Sequence, residues 1–554
     1  MFPFGCEVKS KVRLWRQDFQ NKIRRFPILL ILSKIRNRMN HRRKILIVVG
    51  VAFAVAVLVP VIHHYQLRFA VATYVAQLKA KGEPMELAQI VPPPVSPEKN
   101  GAPLFLKAAA LLTTNNDVLN SNPPLAMRGV APGKAAASWA QPEIRSNDAT
   151  NSWKEIKQAL EQNGEALNLL VQITNSSLFD FNLQYTQRFE MRLTHLSLEK
   201  KAAQRLTTSA IYDLHLGDTG SAVKNVRAIL ALAKGTHEER TAISQLVCIA
   251  ITQIGSAATW ELLQSSNLTD EQLADLQADW GKLEFIQAAE HMLPVEREGG
   301  EATLAKWRNS NSELQRYFDL MKQAHKNLGL SDEKDSEDSI WNEIKTKTQI
   351  FLWRYWWSYP DELRDLKGYE VLMNTMRLVD TNGSFQNALA AQTAELDRLG
   401  ISQLKSSFDS LFSGKMDFHS MMSESIVTLG GVVRKVMRVE VAKQMTITAI
   451  ALKRYQLKHG NYPPDLNSLV PELLPSVPLD PVDGQPLRYH RNADGTFLLY
   501  SIGENGVDDG GDPSLGKGVE SSSFNWQYPR ALDWVWPQPA SPAEVQNFYD
   551  HPPK

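Results

Sequence analysis

Eighteen consecutive residues without a charge, Ile45 to Ile62 (ILIVVGVAFAVAVLVPVI), constrain this chain more than any other feature. A helix rising about 1.5 Å per residue makes the run about 27 Å long, a match for a hydrocarbon core of about 30 Å. Gly50 and Pro60 are tolerated in a membrane helix, and Pro60 lies near its end. Residues 1–44 carry 13 basic side chains against Glu7 and Asp18, a net of +11, whereas the rest of the chain carries −10. By the positive-inside rule the N-terminus is cytoplasmic and everything after the run is translocated. The competing reading is a cleaved signal peptide, but the run exceeds the usual h-region and no A-x-A site follows it. Met39-Asn-His-Arg-Arg-Lys is an alternative start, which would leave residues 1–38 as an untranslated leader or a basic arm. Lys/Arg flanking a membrane helix is commoner than a nucleic-acid arm, so no nucleic-acid partner is expected.

The remaining length suffices for several domains, and two cysteines in 554 residues exclude a disulfide framework or a Cys-rich zinc module. Gln66–Leu87 reads as a helical stalk, and Val91-Pro-Pro-Pro-Val-Ser-Pro as a stiff linker. From about Ala102 the pattern is helical. Thr269-Asp-Glu-Gln272 is a capping box with Leu268 and Leu273 as its staple. Leu216-Gly-Asp-Thr-Gly separates two helices, Ala203–Leu214 and Ser221–Ala233, without a clean repeat period. Cys248, in an apolar helix, reads as a core residue. The aromatic run Phe351–Tyr359 could stack on glycan or meet a membrane interface, but a helix–helix core is the commoner origin.

Catalytic signatures are missing: no H-E-x-x-H, G-x-S-x-G, Walker loop or dinucleotide fingerprint occurs. Ser-x-x-Lys at Ser197–Lys200 and Ser331–Lys334 is a four-residue pattern without its usual companions. The chain is not expected to be an enzyme.

Arg434–His459 reads as a helix with one apolar stripe, Val441, Met445, Ala449 and Leu452, closed by Gly460 at the left-handed cap position. Leu487–His490 and Thr496–Ser501 alternate like strands joined by a loop ending in Asp494-Gly495. Next, Gly503–Asp512 gathers Glu504, Asn505, Asp508, Asp509 and Asp512 among four glycines. Hard cations take six to eight oxygens, and glycines let backbone carbonyls join them, so calcium is expected here. The spacing is not that of an EF-hand, and a plain acidic turn is the alternative.

Three ordered segments, Ala451–Pro463 (ALKRYQLKHGNYP), Asp480–Tyr489 (DPVDGQPLRY) and Phe497–Gly506 (FLLYSIGENG), together resemble the globular part of the type II secretion system major pseudopilin. The resemblance covers about 441–534. It implies a structural Ca2+ held by the Ile502 carbonyl, Asn505 in the slot of a family Asp, Asp508, Asp509 or Asp512, and Asp533 closing the site. No pseudopilin leader precedes Ile45, so polymerisation into a filament is not expected.

The expected architecture is mainly α. It comprises a basic cytoplasmic arm (1–44), a single transmembrane helix (45–62), a helical stalk and Pro-rich linker (63–101) and a large irregular α-helical extracytoplasmic domain (102–430). A small α+β pseudopilin-like module (431–536) and a Pro-rich tail (537–554) follow. The expected role is structural or partner-binding in the bacterial inner membrane, with the lipid bilayer and other envelope or secretion-system proteins as partners. The alternative is an extracytoplasmic enzyme or ligand-binding receptor with its site in the helical domain.

Overall fold

The computed structural model describes residues 41–113, 118–146, 149–176, 178–327, 340–404, 420–516, 526–527 and 529–551. The acidic stretch Ser331–Asp338 and Cys6 lie outside the described residues. The chain is mainly α and divides into two compact units, one ending at Ala70 and one from Val71 onwards.

The first unit is the start of helix α1, His41–Ala80. The run Ile45–Ile62 lies wholly within it and is apolar all round, with Leu46 70%, Phe53 71% and Leu58 56% exposed. Among the described residues, two helices are long and apolar enough to cross a membrane, Val48–Ala80 and Ala242–Leu263. Their surroundings differ. None of the first helix's apolar window is buried, against 67% of the second's.

In the second unit, α1 continues from Val71. Val71, Tyr74 and Leu78 share one face at i, i+3 and i+7. Val71 and Leu78 are buried, while the Tyr74 hydroxyl donates to Glu370. Glu83 accepts from Arg377 at 2.6 Å, and Ile90 is buried beyond it. From Val71 onwards the expected helical stalk is docked along the domain, because its apolar face has a partner to bury against.

The domain is built from α2 (Ala102–Thr113), α3 (Trp153–Gln162), α4 (Gly164–Gln172), α5 (His195–His215), α6 (Thr219–His237), α7 (Ala242–Leu263), α8 (Asp270–Gly281) and α9 (Phe285–Asn309). Beyond these come α10 (Asn311–Asn327), α11 (Ile340–Leu352), α12 (Ser358–Asn382), α13 (Phe385–Arg398), α14 (Glu424–His459) and α15 (Pro542–Asp550). The α5–α6 turn falls where the sequence places it, with Gly217 at φ +80° and Asp218 capping Ser221. The Thr269/Gln272 box starts α8, and Leu268 and Leu273 are both buried. Cys248 is fully buried in α7, its thiol donating to the Ala233 carbonyl at 3.2 Å.

Helix α14 begins ten residues before the expected Arg434. The expected stripe is buried, but so are Val433, Val439, Thr446 and Ile450 on other faces. Such a helix is a core element rather than a lid on a small sheet. The hairpin forms as read, β3 (Arg488–Arg491) pairing antiparallel with β4 (Phe497–Ser501), with β5 (Trp534–Val535) on its other edge. A second sheet joins β1 (Arg128–Ala131), β2 (Lys134–Ala136) and β6 (Gln538–Pro539), the last pairing parallel to β2. The expected Pro-rich tail thus supplies a strand and helix α15. The Trp260 indole N–H in α7 donates to the Pro537 carbonyl at 2.7 Å. Arg454 of α14 holds Asp270 in the first turn of α8 at 2.7 Å. The expected segments 102–430 and 431–536 therefore share one continuous hydrophobic core, while 537–554 packs on β1 and β2 in a small cluster of its own with Val130, Ala136 and Val545.

Candidate metal centre

The loop after β4 turns back on itself beneath β5. Gly503 has φ +66°, and a Cβ there would stand 2.8 Å from the Leu532 carbonyl oxygen. Gly511 has φ +82°, and a Cβ there would meet Leu498 at 2.8 Å. Only glycine allows both the left-handed backbone and the close approach.

Asp533 sits under this loop with no exposed surface. Its Oδ2 accepts the Gly511 N–H at 2.7 Å and the Asp512 N–H at 3.2 Å, while its own N–H donates to the Asp512 carbonyl at 2.9 Å. Its Oδ1 is buried and has no hydrogen-bond partner among the described residues. Burial pushes the carboxyl above its ordinary range; the nearby backbone N–H groups of Gly511, Asp509 and Asp512 oppose this without cancelling it. A buried carboxylate oxygen with nothing to accept from is costly, and a hard cation is one group that would satisfy it.

The other residues singled out from the sequence divide into two sets. Asn505 and Asp509 lie together, the Asn505 amide donating to Asp509 Oδ2 at 2.8 Å while Asn505 Oδ1 accepts the Val507 N–H. Asp508 faces elsewhere. It accepts the Tyr500 hydroxyl at 3.0 Å, the Gly510 N–H and Arg488 Nε at 3.3 Å, and those donors, Gly510 first, hold it below the usual carboxylate range. Asp512 Oδ1 turns to the Ser514 N–H, and Glu504 pairs with Arg438 at 2.8 Å. Ile502 is buried, its N–H donating to Asp480.

Asp480 is the residue that sequence reasoning did not single out. It is fully buried and accepts from Ser501 Oγ, the Ile502 and Val482 N–H groups, and Arg488 Nη1 at 3.2 Å. Arg488 also binds Asp483 at 2.6 Å, so one guanidinium answers three carboxylates. The signal was the Asp-Pro-Val-Asp segment at 480–483, read only as part of the resemblance and not for its charge. Because Arg488 already neutralises this side, positive charge is wanted chiefly around Asp533 and Asp509. Among the described residues no group of three or more His, Cys, Asp or Glu side chains is arranged to hold a metal. A bound ion would draw on these two carboxylates and on carbonyl and amide oxygens.

Polar side chains also converge inside the helical domain. His195 Nε2 lies 2.6 Å from Glu239, which also accepts from Ser244 Oγ. Glu199 accepts from Thr236, but its Oε1 has no partner among the described residues. Between α9, α12 and the start of α14, Asp361 takes the Met422 and Ser423 N–H groups, while Asp365 Oδ2 and Glu301 Oε1 are buried without a hydrogen-bond partner among the described residues, Glu301 Oε1 lying 4.0 Å from Arg297 Nε. Burial raises Glu199, Asp361, Asp365 and Glu301, and pushes Glu301 up to about 7. Glu199, Asp361 and Asp365 have no exposed surface, and Glu239 has 4%, so these groups lie inside packed helices. The cavity lined by Arg128, Arg145 and Tyr549 measures about 10 Å³, room for one water.

No family model, curated protein or solved structure matches the chain.

Proposed function

We propose that this is a membrane-anchored structural or partner-binding protein of the bacterial envelope. Its N-terminus is cytoplasmic, it crosses the inner membrane once, and its pseudopilin-like C-terminal region is clamped by calcium. One observation carries the reading: of the two long apolar helices among the described residues, none of the first one's apolar window is buried, whereas α7 is mostly buried. Exposed apolar surface on that scale needs a bilayer or an equivalent apolar partner. The basic block before Ile45 supports the orientation. Placing Arg at Val55 should move the chain from the carbonate-resistant membrane fraction to the soluble or aggregated fraction. Unchanged carbonate resistance would sink the anchor.

The orphaned Asp533 Oδ1 supports the calcium part of the reading. Asp533 and Asp509, with the Ile502 carbonyl and Asn505 beside them, are the residues that would hold the ion. It would supply positive charge where Arg488 does not reach. Thermal unfolding of the full chain in nanodiscs should shift upward with calcium, by about 2.7 kcal/mol at 100-fold excess over Kd. The shift should vanish in Asp533→Asn, and magnesium should not reproduce it. Equal shifts in both proteins would place the ion elsewhere, and none in either would leave a plain acidic turn. The tie to a secretion or pilus-like apparatus rests on resemblance alone. The rival reading, a catalytic or receptor site in the helical domain, draws less support, because the polar clusters there are enclosed.

A further inference from the structure

The second unit carries an exposed aromatic stripe at the end where the chain enters it. From Val71, α1 runs in the same direction as α12: Lys367 lies over the Tyr74 ring and Tyr74 reaches Glu370, while Glu83, further on, reaches Arg377. The chain therefore arrives at the end where α12 begins. Immediately before α12 come α11 and one π-helical turn, Trp353–Trp357. Trp353 is fully buried against Trp307, and Arg354 donates to the Trp307 carbonyl at 3.0 Å, which anchors the turn from inside.

The outer face is different. Ile344, Phe351 and Tyr355 are 48%, 56% and 46% exposed. Their spacing of seven and then four residues places them on one stripe. The Phe351 and Tyr355 rings pack together at 4.9 Å, and Lys347 is exposed beside them. A helix–helix core was the simpler expectation for this segment; Trp353 and Ser358 are buried, while Phe351 and Tyr355 face out.

Eight residues, 63–70, lie between Ile62 and Val71, and even fully extended the nine steps across them span no more than about 32 Å. Given the anchor proposed above, on which this inference rests, this end of the unit stays within that distance of the headgroups. Aromatic side chains with a basic neighbour favour the water–hydrocarbon boundary, where an apolar ring body and a polar tip are both satisfied. We propose that the Ile344–Phe351–Tyr355 stripe is a docking surface for the headgroup region of the same bilayer, so that the unit is held to the membrane at two points.

The test uses the full chain with Cys6 replaced by Ser, in vesicles of phosphatidylethanolamine and phosphatidylglycerol with brominated acyl chains. A fluorophore is placed at Phe351→Cys or, as the comparison, at Val507→Cys. Val507 is exposed in the loop beside Gln386, just past the far end of α12, which is about 37 Å long. Bromine should remove most of the fluorescence at 351 and little at 507. Equal, weak quenching at both sites while the protein still floats with the vesicles overturns the docking surface and leaves the anchor standing. A label at 351 shielded from water yet unquenched points to a second copy or another protein on the stripe, and also overturns it. Failure to float removes the anchor and the docking surface together.

Discussion

Replacing Trp260 by Ala should destabilise the entire unit from Val71 onwards by about 3–5 kcal/mol, the usual cost of emptying a fully buried tryptophan site. Trp260 has no exposed surface, and its indole N–H is the hydrogen-bond donor to the Pro537 carbonyl, so the substitution opens a cavity and orphans an acceptor together. Trp260→Phe keeps most of the ring and should cost about 1–2 kcal/mol, the share of the lost hydrogen bond and a smaller void. Denaturant unfolding followed by helicity and by a label on α15 reports both halves of the unit. If α7 and the C-terminal strands share one core, both probes shift to the same lower midpoint. Should the C-terminal label lose its signal early while helicity stays at its wild-type midpoint, the C-terminal region is a separate module after all.

Raising the pH from about 4.5 to 8 should weaken the packing of α9 against α12. Glu301 is pushed up to about 7, chiefly by burial, with Glu362 and Glu298 adding to the rise and Arg297 and Lys79 opposing it. Asp365, fully buried, is raised by burial and by Asp361, Glu301 and Glu362. A folded-state pKa above the unfolded value contributes stability that is fully present below the unfolded pKa, about 4.3 for Glu, and lost as pH rises through the folded one. For Glu301 alone that amounts to about 3 kcal/mol between those limits, to order of magnitude. Groups held low, such as Glu83 beside Arg377, act in the opposite sense at the acid end. The decisive quantity is therefore the difference between variants. Glu301→Gln, neutral throughout, should gain on the wild type steadily from pH 5 to 8, and Asp365→Asn should do the same. Parallel stability–pH curves would mean that water reaches these carboxylates and that their oxygens are not orphaned.

Local features of the sequence were legible where a short stretch determines its own geometry. The Thr269/Gln272 box, the Gly217 turn, the Gly460 cap and the Asp-Gly hairpin at 494–495 are each settled by side chains and dihedrals within a few residues. The metal loop was legible only as a region. Which acids converge depends on partners far away in the chain. Arg488 takes Asp508 and Asp480, Arg438 takes Glu504, and Asp533 is brought beneath the loop by the pairing of β5 with Ser501.

By itself the sequence determined the mainly helical class, the uncharged apolar run at 45–62 and the charge asymmetry on either side of it. Composition and periodicity over about twenty residues suffice for these, because they concern what one segment can bury or cannot. Only the tertiary structure decided that one core runs from Ala102 to Trp536, through both the helical region and the C-terminal sheet. Helix α14 has apolar residues on more faces than the sheet could cover, and the last strand finds its edge more than 400 residues upstream on β2. Periodicity reveals that a face must be buried, whereas the identity of the burying surface is a property of the whole packed chain.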